Sequence, residues 1–381
     1  MKNGIAVIFA TTALVATAGV AAADVTLSGT AEMGIAGGDR YARTTDGSAV
    51  VPGADAASFF SDIDVTFAMT GTTDNGLSFG ASIDLDEAGN ITGTEGSFDN
   101  DGFTIFISGG GHTLTMGDTD GALDFVMDEV NYAGGSIADD ETAHAGFNGN
   151  AGLDGSQDGQ VLRYDYAFGD FTFAASVEQS NQGDGTRYIA GVGVVDGEED
   201  TWGVGVAYTV DLGTGTVDLG LGYQTGTIYF DGDAPATFGV AYTDARYSAN
   251  DIIADANIWG LSANYAMDGL TVGFSYMDWD ISSTNVLRAG WAGSGAATPF
   301  TSAQQYGLGA AYEWDAWTFA ANYGHFETNG VGIEQSGYGL AVNYDLGGGA
   351  VIQFGYGNSD FNAAAGSADY SSYSLGLAMS F

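Results

Sequence analysis

The stretch YSSYSLGLAMSF, residues 370–381, alternates between two kinds of side chain. Tyr373, Leu375, Leu377 and Met379 are large and apolar, and the residues between them are serine, glycine or alanine. A β-strand points successive side chains to opposite faces, so this stretch predicts a strand with one apolar and one small, polar face. Such a strand either packs its apolar face on a second layer or turns it toward lipid, and this choice decides the function.

Working outward, the same pattern recurs along the whole chain. Sixteen strand-like runs are separated by connectors that alternate between short and long. Short connectors rich in Gly, Asp and Asn, such as 71–76 and 268–269, are typical of hairpin turns, and strict alternation indicates that the two ends of the sheet face different surroundings. The predicted strands are 24–35, 58–70, 77–85, 102–108, 112–118, 160–168, 171–179, 201–211, 216–230, 258–267, 270–280, 304–314, 317–326, 335–346, 350–359 and 370–381.

An even number of strands places the first and last strands antiparallel and lets them pair, which leaves no open edge in a bilayer. The stretch Thr237–Tyr247 is also strand-like. Because a seventeenth strand would break the alternation, we interpret this stretch as part of a long outer loop. The pattern predicts an all-β protein, a 16-stranded antiparallel transmembrane β-barrel with short periplasmic turns and long outer loops.

The residues on the two faces favour lipid over a second protein layer. Apolar residues such as Leu219 and Leu340 share one face, and Tyr and Trp recur on it near strand ends, as in Tyr223 and Trp202. Aromatic girdles at the two membrane interfaces explain this placement. Arg163 lies on the opposite face, where it avoids the cost of about 2–4 kcal/mol for arginine in mid-bilayer lipid. A soluble two-layer β-protein from a salty setting, whose strands would also alternate, is the competing interpretation.

The N-terminal segment 1–23 reads as a secretory signal peptide, with Lys2, a short apolar run and three alanines before Asp24. Residues 24–381 then form the barrel domain. Removing Lys2, the single lysine, leaves six arginines against 49 carboxylates and changes the formal net charge from −42 to −43. Such a surface repels nucleic acid, so no nucleic-acid partner is expected.

Enzymatic chemistry has little support in the sequence. There is no cysteine, which excludes disulfides and thiolate sites. His112, His144 and His325 have no metal-ligand spacing, and GVGVAY at 203–208 resembles a nucleotide-binding loop but has no helix after it. We expect no enzymatic activity and no required cofactor, although the clustered carboxylates could bind Ca²⁺.

Four segments carry a resemblance to a known family: VTLSGTAEMGI at 25–35, FAMTGTTDNGLSFGA at 67–81, LTMGD at 114–118 and YGLAVNYDLGGG at 338–349. With them, the chain resembles the general-diffusion porins of alphaproteobacterial outer membranes, the Rhodobacter type. The resemblance implies location in the cell outer membrane, a homotrimer, contact with outer-membrane lipid and lipopolysaccharide, and passive diffusion of ions and small hydrophilic solutes. Phe381 resembles the signal read by the barrel-assembly machinery, and related porins bind calcium.

The resemblance also implies that the third long loop, 119–159, folds inward and constricts the pore. This loop carries acids and no basic residue, and a ring of carboxylates in a narrow throat favours cations. Wall positions where relatives tend to carry arginine are acidic here, which predicts a cation preference. The expected constriction and selectivity residues are Asp120, Asp124, Asp128, Glu129, Asp139, Asp140 and Glu141 on the loop, with Asp154 and Asp158, and Glu32, Asp62, Asp64 and Arg163 on the wall.

Two other functions stay open at this point. A substrate-selective channel on the same barrel would use the loop and inward aromatic residues as a binding track. A secreted acidic β-rich adhesin or surface-layer protein would use the same strands without a pore.

Overall fold

A computed structural model of the chain describes residues 24–42, 57–87, 98–132, 134–157, 159–180, 187–189, 193–195, 199–230, 252–286, 301–329, 333–363 and 366–381. Within these residues, eighteen strands and one α-helix are formed, with a short 3-10 helix at Asp39–Ala42. In chain order they are β1 (Asp24–Gly37), β2 (Ser58–Thr72), β3 (Ser78–Glu87), β4 (Phe98–Gly109), β5 (His112–Gly117), α1 (Ala122–Val126), β6 (Val161–Phe168), β7 (Phe171–Glu178), β8 (Arg187–Ile189), β9 (Gly193–Val195), β10 (Thr201–Asp211), β11 (Thr216–Phe230), β12 (Ile252–Met267), β13 (Leu270–Val286), β14 (Ser302–Trp314), β15 (Trp317–Asn329), β16 (Glu334–Gly347), β17 (Ala350–Ala363) and β18 (Gly366–Ser380).

Sixteen of these strands form a closed antiparallel barrel, which confirms the predicted architecture. The seam joins β1 to β18 in a register from Thr30 opposite Ser380 to Gly37 opposite Tyr373. The backbone N–H of Phe381 donates to the carbonyl oxygen of Gly29 at 2.9 Å and extends this seam. Closure satisfies the backbone groups of the two end strands, as a sheet inside a bilayer requires.

The structure differs from the predicted strands in two ways. β8 and β9 form a separate two-stranded sheet within the connector predicted at 180–200. Several strands are also longer than predicted, and β13 runs to Val286 rather than to residue 280. A hydrocarbon band of about 25 Å imposes alternation on only part of a tilted strand, so polar extensions beyond it carry no apolar pattern. Thr237–Tyr247 lies outside the described residues.

The two faces of the barrel have the predicted character. Leu219 and Leu340 on the outer face are 41% and 40% exposed, whereas Gln224 and Asn343 on the inner face are buried. The buried apolar residues therefore lie inside the barrel, where Leu123, Val126 and Met127 pack against wall residues including Ile258 and Met277. Within the described residues, no helix has both the length and the apolar character needed to cross a membrane.

Candidate functional site

The connector between β5 and β6 fills part of the barrel interior, and we call residues 119–159 the inner loop. Its helix α1 lies against β7, β10 and β11. The backbone N–H of Ala122 donates to the hydroxyl of Ser176 at 2.8 Å, and that of Asp128 donates to the hydroxyl of Ser262 at 2.9 Å. The loop thus follows the wall instead of extending outward, which agrees with the predicted inward fold.

The two ends of the inner loop are tied together at the wall. The carboxylate of Asp154 accepts the backbone N–H of Gly121 at 2.7 Å and the side-chain amide of Gln224 at 2.6 Å. On β7, the carboxylate of Glu178 accepts three backbone N–H groups, from Gly155 at 3.0 Å, Gln157 at 3.0 Å and Gly159 at 2.8 Å. Glu178 is 1% exposed, so these bonds form away from the solute path.

Arg163 on β6 holds the beginning of the loop. Its guanidinium donates to the carbonyl oxygen of Asp120 at 2.6 Å and to the hydroxyl of Thr119 at 3.2 Å. It also lies 3.7 Å from the centre of the Phe125 ring and pairs with the carboxylate of Asp165 at 3.4 Å. The side chain is on the inner face, as predicted, but only 7% of the residue is exposed. Its charge is therefore used to position the loop and faces little of the lumen.

The middle of the inner loop is held by polar side chains on β14 to β17. The carbonyl oxygen of Gly149 accepts the Gln305 side-chain amide at 2.6 Å, and that of Glu141 accepts the Asn322 amide at 2.8 Å. His144 is buried, and its Nε2 atom forms a hydrogen bond of 2.6 Å with Oδ1 of Asn322, so this histidine has a structural role. The inner wall of these strands thus serves mainly as a seat for the loop.

The tip of the loop reaches the seam of the barrel. Ile137 is 1% exposed and packs with Ala36 of β1 and Phe60 of β2. This contact places the loop tip beside the inner faces of β1 and β2, and residues 140 and 141 then turn back over β18, β17 and β16. The loop therefore runs along the wall from β6 to the seam and narrows the lumen from one side.

Carboxylates from loop and wall meet at this point, and we call Glu32, Asp62, Asp64, Asp139 and Glu141 the eyelet cluster. Glu32 interacts electrostatically with the other four carboxylates. Glu32 and Asp62 are opposite each other in the pairing of β1 with β2, and Asp64 accepts the hydroxyl of Thr30 at 2.6 Å. The cluster sets the exposed Asp139 of the loop against acids of the wall, while Glu141 is 5% exposed, accepts the Ser136 hydroxyl and acts on Glu32 from within the loop.

The inner wall continues as a polar surface beyond the cluster. Asp84 on β3 accepts the hydroxyl of Thr66 at 3.1 Å, and Ser82 and Thr104 share a hydrogen bond of 2.6 Å. These side chains follow one another across β2, β3 and β4 on the same face. A path lined by carboxylates and hydroxyls suits hydrated ions and small hydrophilic solutes.

Burial changes the charge state of several loop acids. It raises the pKa of Asp124 to about 8, with the carboxylates of Asp120 and Glu129 adding to the effect and Arg163 opposing it. Burial also raises the pKa of Glu141 to about 7, although the Ser136 hydroxyl donates to that carboxylate at 2.6 Å. Burial also raises the pKa of Asp154 to about 7, although the hydrogen bond from the Gly121 N–H stabilises the charged carboxylate and lowers the pKa. The negative charge of the loop therefore depends on pH near neutrality.

The predicted site residues fall into separate groups. Glu32, Asp62, Asp64, Asp139 and Glu141 come together, whereas Asp120, Asp124 and Asp154 gather near Arg163. Asp140 is fully buried and lies beside the hydroxyls of Ser372 and Ser374 of β18, so it faces the wall. Glu129 accepts the backbone N–H of Asn150 and links the two limbs of the loop. Asp128 interacts electrostatically with Tyr132, away from both groups, and Asp158 lies outside the described residues.

Two functional residues escaped the sequence prediction. Arg40, in the 3-10 helix after β1, interacts electrostatically with Asp139 and Asp140, so a cation lies beside the eyelet cluster. The preceding residue, Asp39, holds this segment against β18, because its carboxylate accepts the Ser371 backbone N–H at 2.5 Å. This contact depends on the register of β1 with β18, so the position of Arg40 could not be inferred from the sequence. Glu178 looked like an ordinary polar residue at a strand end. No sequence signal marks the three N–H groups that converge on it.

Among the described residues, no group of three or more His, Asp or Glu side chains is placed to hold a metal ion. The calcium expectation stays a prediction.

Comparison with known proteins agrees with this geometry. Residues 10–364 match the Gram-negative porin family. The chain is 30% identical to a porin of Rhodobacter capsulatus over 302 residues, which covers 78% of this chain and 86% of the relative.

Among solved structures, a mutant of Rhodopseudomonas blastica porin aligns with a TM-score of 0.52 at 16% identity, over 94% of this chain and all of the other. A second mutant of the Rh. blastica porin gives a TM-score of 0.55 at 16% identity and the same coverage. These structural likenesses concern the fold. The family match and the Rhodobacter capsulatus relative establish that the chain belongs to the Gram-negative porin family and is an outer-membrane channel for passive diffusion.

Proposed function

We propose that this porin prefers cations. The observation that carries the proposal is the eyelet cluster, in which acids of the inner loop face acids of the wall, with Arg40 as the neighbouring cation. The buried guanidinium of Arg163 donates to the loop backbone, so its positive charge does not offset the negative field of these carboxylates in the lumen. Fixed carboxylates in a constriction between low-dielectric walls attract cations and repel anions.

The proposal includes the other expectations for the protein. It forms a homotrimer in contact with outer-membrane lipid and lipopolysaccharide, and it has no enzymatic activity and requires no cofactor. Residues 1–23 act as a signal peptide, and Phe381 is read by the barrel-assembly machinery. The pairing of Phe381 with Gly29 at the seam supports a role for this residue in closing the barrel. Ca²⁺ binding by loop carboxylates remains part of the proposal without an assigned ligand set.

The reversal potential of the purified porin in a planar bilayer, measured across a KCl gradient, tests the cation preference. We expect the sign that corresponds to K⁺ permeating faster than Cl⁻. An anion sign would reject the proposal. Saturable block of the current by one solute would instead favour a substrate-selective channel on the same barrel.

The cation preference should also increase as pH rises from about 6 to about 9. Glu141 and Asp124, with pKa values of about 7 and about 8, are neutral below these values and negative above them. A higher pH therefore adds charge to the loop side of the lumen. The check is a series of reversal potentials at fixed KCl gradient, with Glu141→Gln as a comparison in which the step near pH 7 should be smaller, because Asp154 also has a pKa of about 7. A flat profile for the unmodified porin would contradict this expectation.

A further inference from the structure

The inner loop lies close to the wall because glycines occupy the wall positions beneath it. At each of these positions, a methyl group in place of the glycine hydrogen would meet an atom of the loop. The contacts extend from β10 to β18, along the whole path described above. The glycines are Gly203, Gly205, Gly220, Gly222, Gly260, Gly273, Gly307, Gly309, Gly324, Gly337, Gly339, Gly355, Gly357 and Gly376.

The contacts differ in what the added methyl group would meet. At Gly339 it would overlap the backbone carbonyl oxygen of Glu141, and at Gly357 it would overlap that of Asp140. At Gly260 it would overlap the end of the Met127 side chain, which can change rotamer. A flexible side chain can move aside within its space, whereas a backbone carbonyl moves only if the loop moves.

Backbone conformation does not explain the two glycines at 339 and 357. Neither has a positive φ, so an alanine could adopt the same extended conformation. Their common property is the loop backbone seated on them. The missing side chain therefore provides space for the loop rather than freedom for the strand.

The space left by the absent side chains of Gly339 and Gly357 controls how far the loop extends into the lumen. Glu141 belongs to the eyelet cluster, and Asp140 precedes it in the chain. An ordinary contact of a Cβ atom is 3.4–4 Å, so an alanine beneath either carbonyl requires the loop to shift toward the lumen. We estimate that shift as on the order of 1 Å from van der Waals radii.

We propose that Gly339 and Gly357 are specificity-determining residues that set the width of the pore for diffusing solutes. They let residues 140–141 lie back into the wall, and a side chain at either position narrows the gap between the loop and Glu32. This inference rests on the passive-diffusion function assigned above. It concerns the size of the solute rather than its charge.

The test compares Gly339→Ala and Gly357→Ala with two matched alanine variants of inner-face glycines. Gly260→Ala lies beneath the loop but meets a flexible side chain. Gly80→Ala meets the Phe106 ring at 2.6 Å and the backbone carbonyl oxygen of Met69 at 2.7 Å, so it has a backbone contact on the wall but none with the loop. Single-channel conductance should fall roughly 1.2- to 1.5-fold in the first two variants and stay within error in the other two. Uptake of sugars into proteoliposomes should slow most for the largest sugar. Heat-modifiable migration in detergent gels reports folding of each variant.

Several outcomes would overturn the proposal. Unchanged conductance in folded Gly339→Ala and Gly357→Ala would show that the loop does not move toward the lumen. An equal fall in Gly80→Ala would show a general effect of inner-face methyl groups. If both loop-backbone variants fail to fold while both controls fold, these glycines serve assembly and not pore width. The reversal potential should keep its cation sign in all four variants, so failure of the cation proposal would be recognised separately.

Discussion

The triple variant Glu32→Gln, Asp62→Asn and Asp64→Asn should lower the ratio of cation to anion permeability about threefold or more. These three carboxylates form the wall side of the eyelet cluster, and their amides keep nearly the same size. Removing them leaves Glu141 and Asp139 on the loop side, and Asp139 interacts with Arg40. The measurement is the reversal potential in a KCl gradient at pH of about 8, above the pKa of about 7 of Glu141.

A matched control removes the same number of charges far from the lumen constriction. Asp74, Asp268 and Asp315 lie in periplasmic turns at exposed positions. Asp268 and Asp315 have φ values of 48° and 55°, which asparagine also tolerates. Asp74→Asn, Asp268→Asn and Asp315→Asn together should leave the permeability ratio unchanged. If both triple variants shift the ratio equally, the general charge of the protein, and not the eyelet cluster, determines selectivity.

Glu178→Ala should release the returning end of the inner loop and produce large fluctuations of the open-channel current. The change removes the acceptor of three backbone N–H groups. Gly155 and Gly159 lie at exposed positions and can bond to water, but Gln157 is buried. An unpaired buried N–H costs about 1–3 kcal/mol, enough to populate a detached loop end. Current noise in single-channel records and protease cleavage within residues 151–160 measure this release.

Glu178→Gln provides the graded control for this prediction. Glutamine has the same length and keeps one carbonyl oxygen, so it can accept part of the hydrogen bonding. We expect noise between that of the unmodified porin and that of the alanine variant. The mean reversal potential should change little because Glu178 is buried behind the loop. A quiet alanine variant with a protease-resistant loop would show that other contacts hold the loop alone.

The barrel could be predicted from the sequence because the alternation of side chains along a strand and the residues of a turn are local, repeating features. A strand such as β11 carries Leu219 and Leu221 toward lipid and glycines toward the lumen, and this alternation is legible without a structure. Turn residues such as Asp268-Gly269, both with positive φ, mark the ends of strands with equal clarity. The ends of the longer strands were missed because outside the hydrocarbon band no lipid enforces alternation.

The constriction was predictable in composition but not in arrangement. The acidic character of the loop and wall is visible in the sequence, yet the orientation of each acid follows from long-range contacts. Asp140 faces the wall because β18 presents hydroxyls to it, and Arg163 faces the loop because Asp120 and Phe125 lie beside it. These partners are separated in sequence by tens to hundreds of residues. A single sequence contains no record of such pairings.

The path of the inner loop has a mechanical consequence for the barrel. Among the described residues, the loop contacts β6, β7, β10 to β18 and the seam. It therefore supports this part of the barrel wall from the inside. The arc of β3 to β5 resists lateral membrane pressure mainly through its own ladder of hydrogen bonds. Backbone amides of that arc should exchange with deuterium sooner than those of β14 to β16, and the reverse order would refute this asymmetry in stiffness.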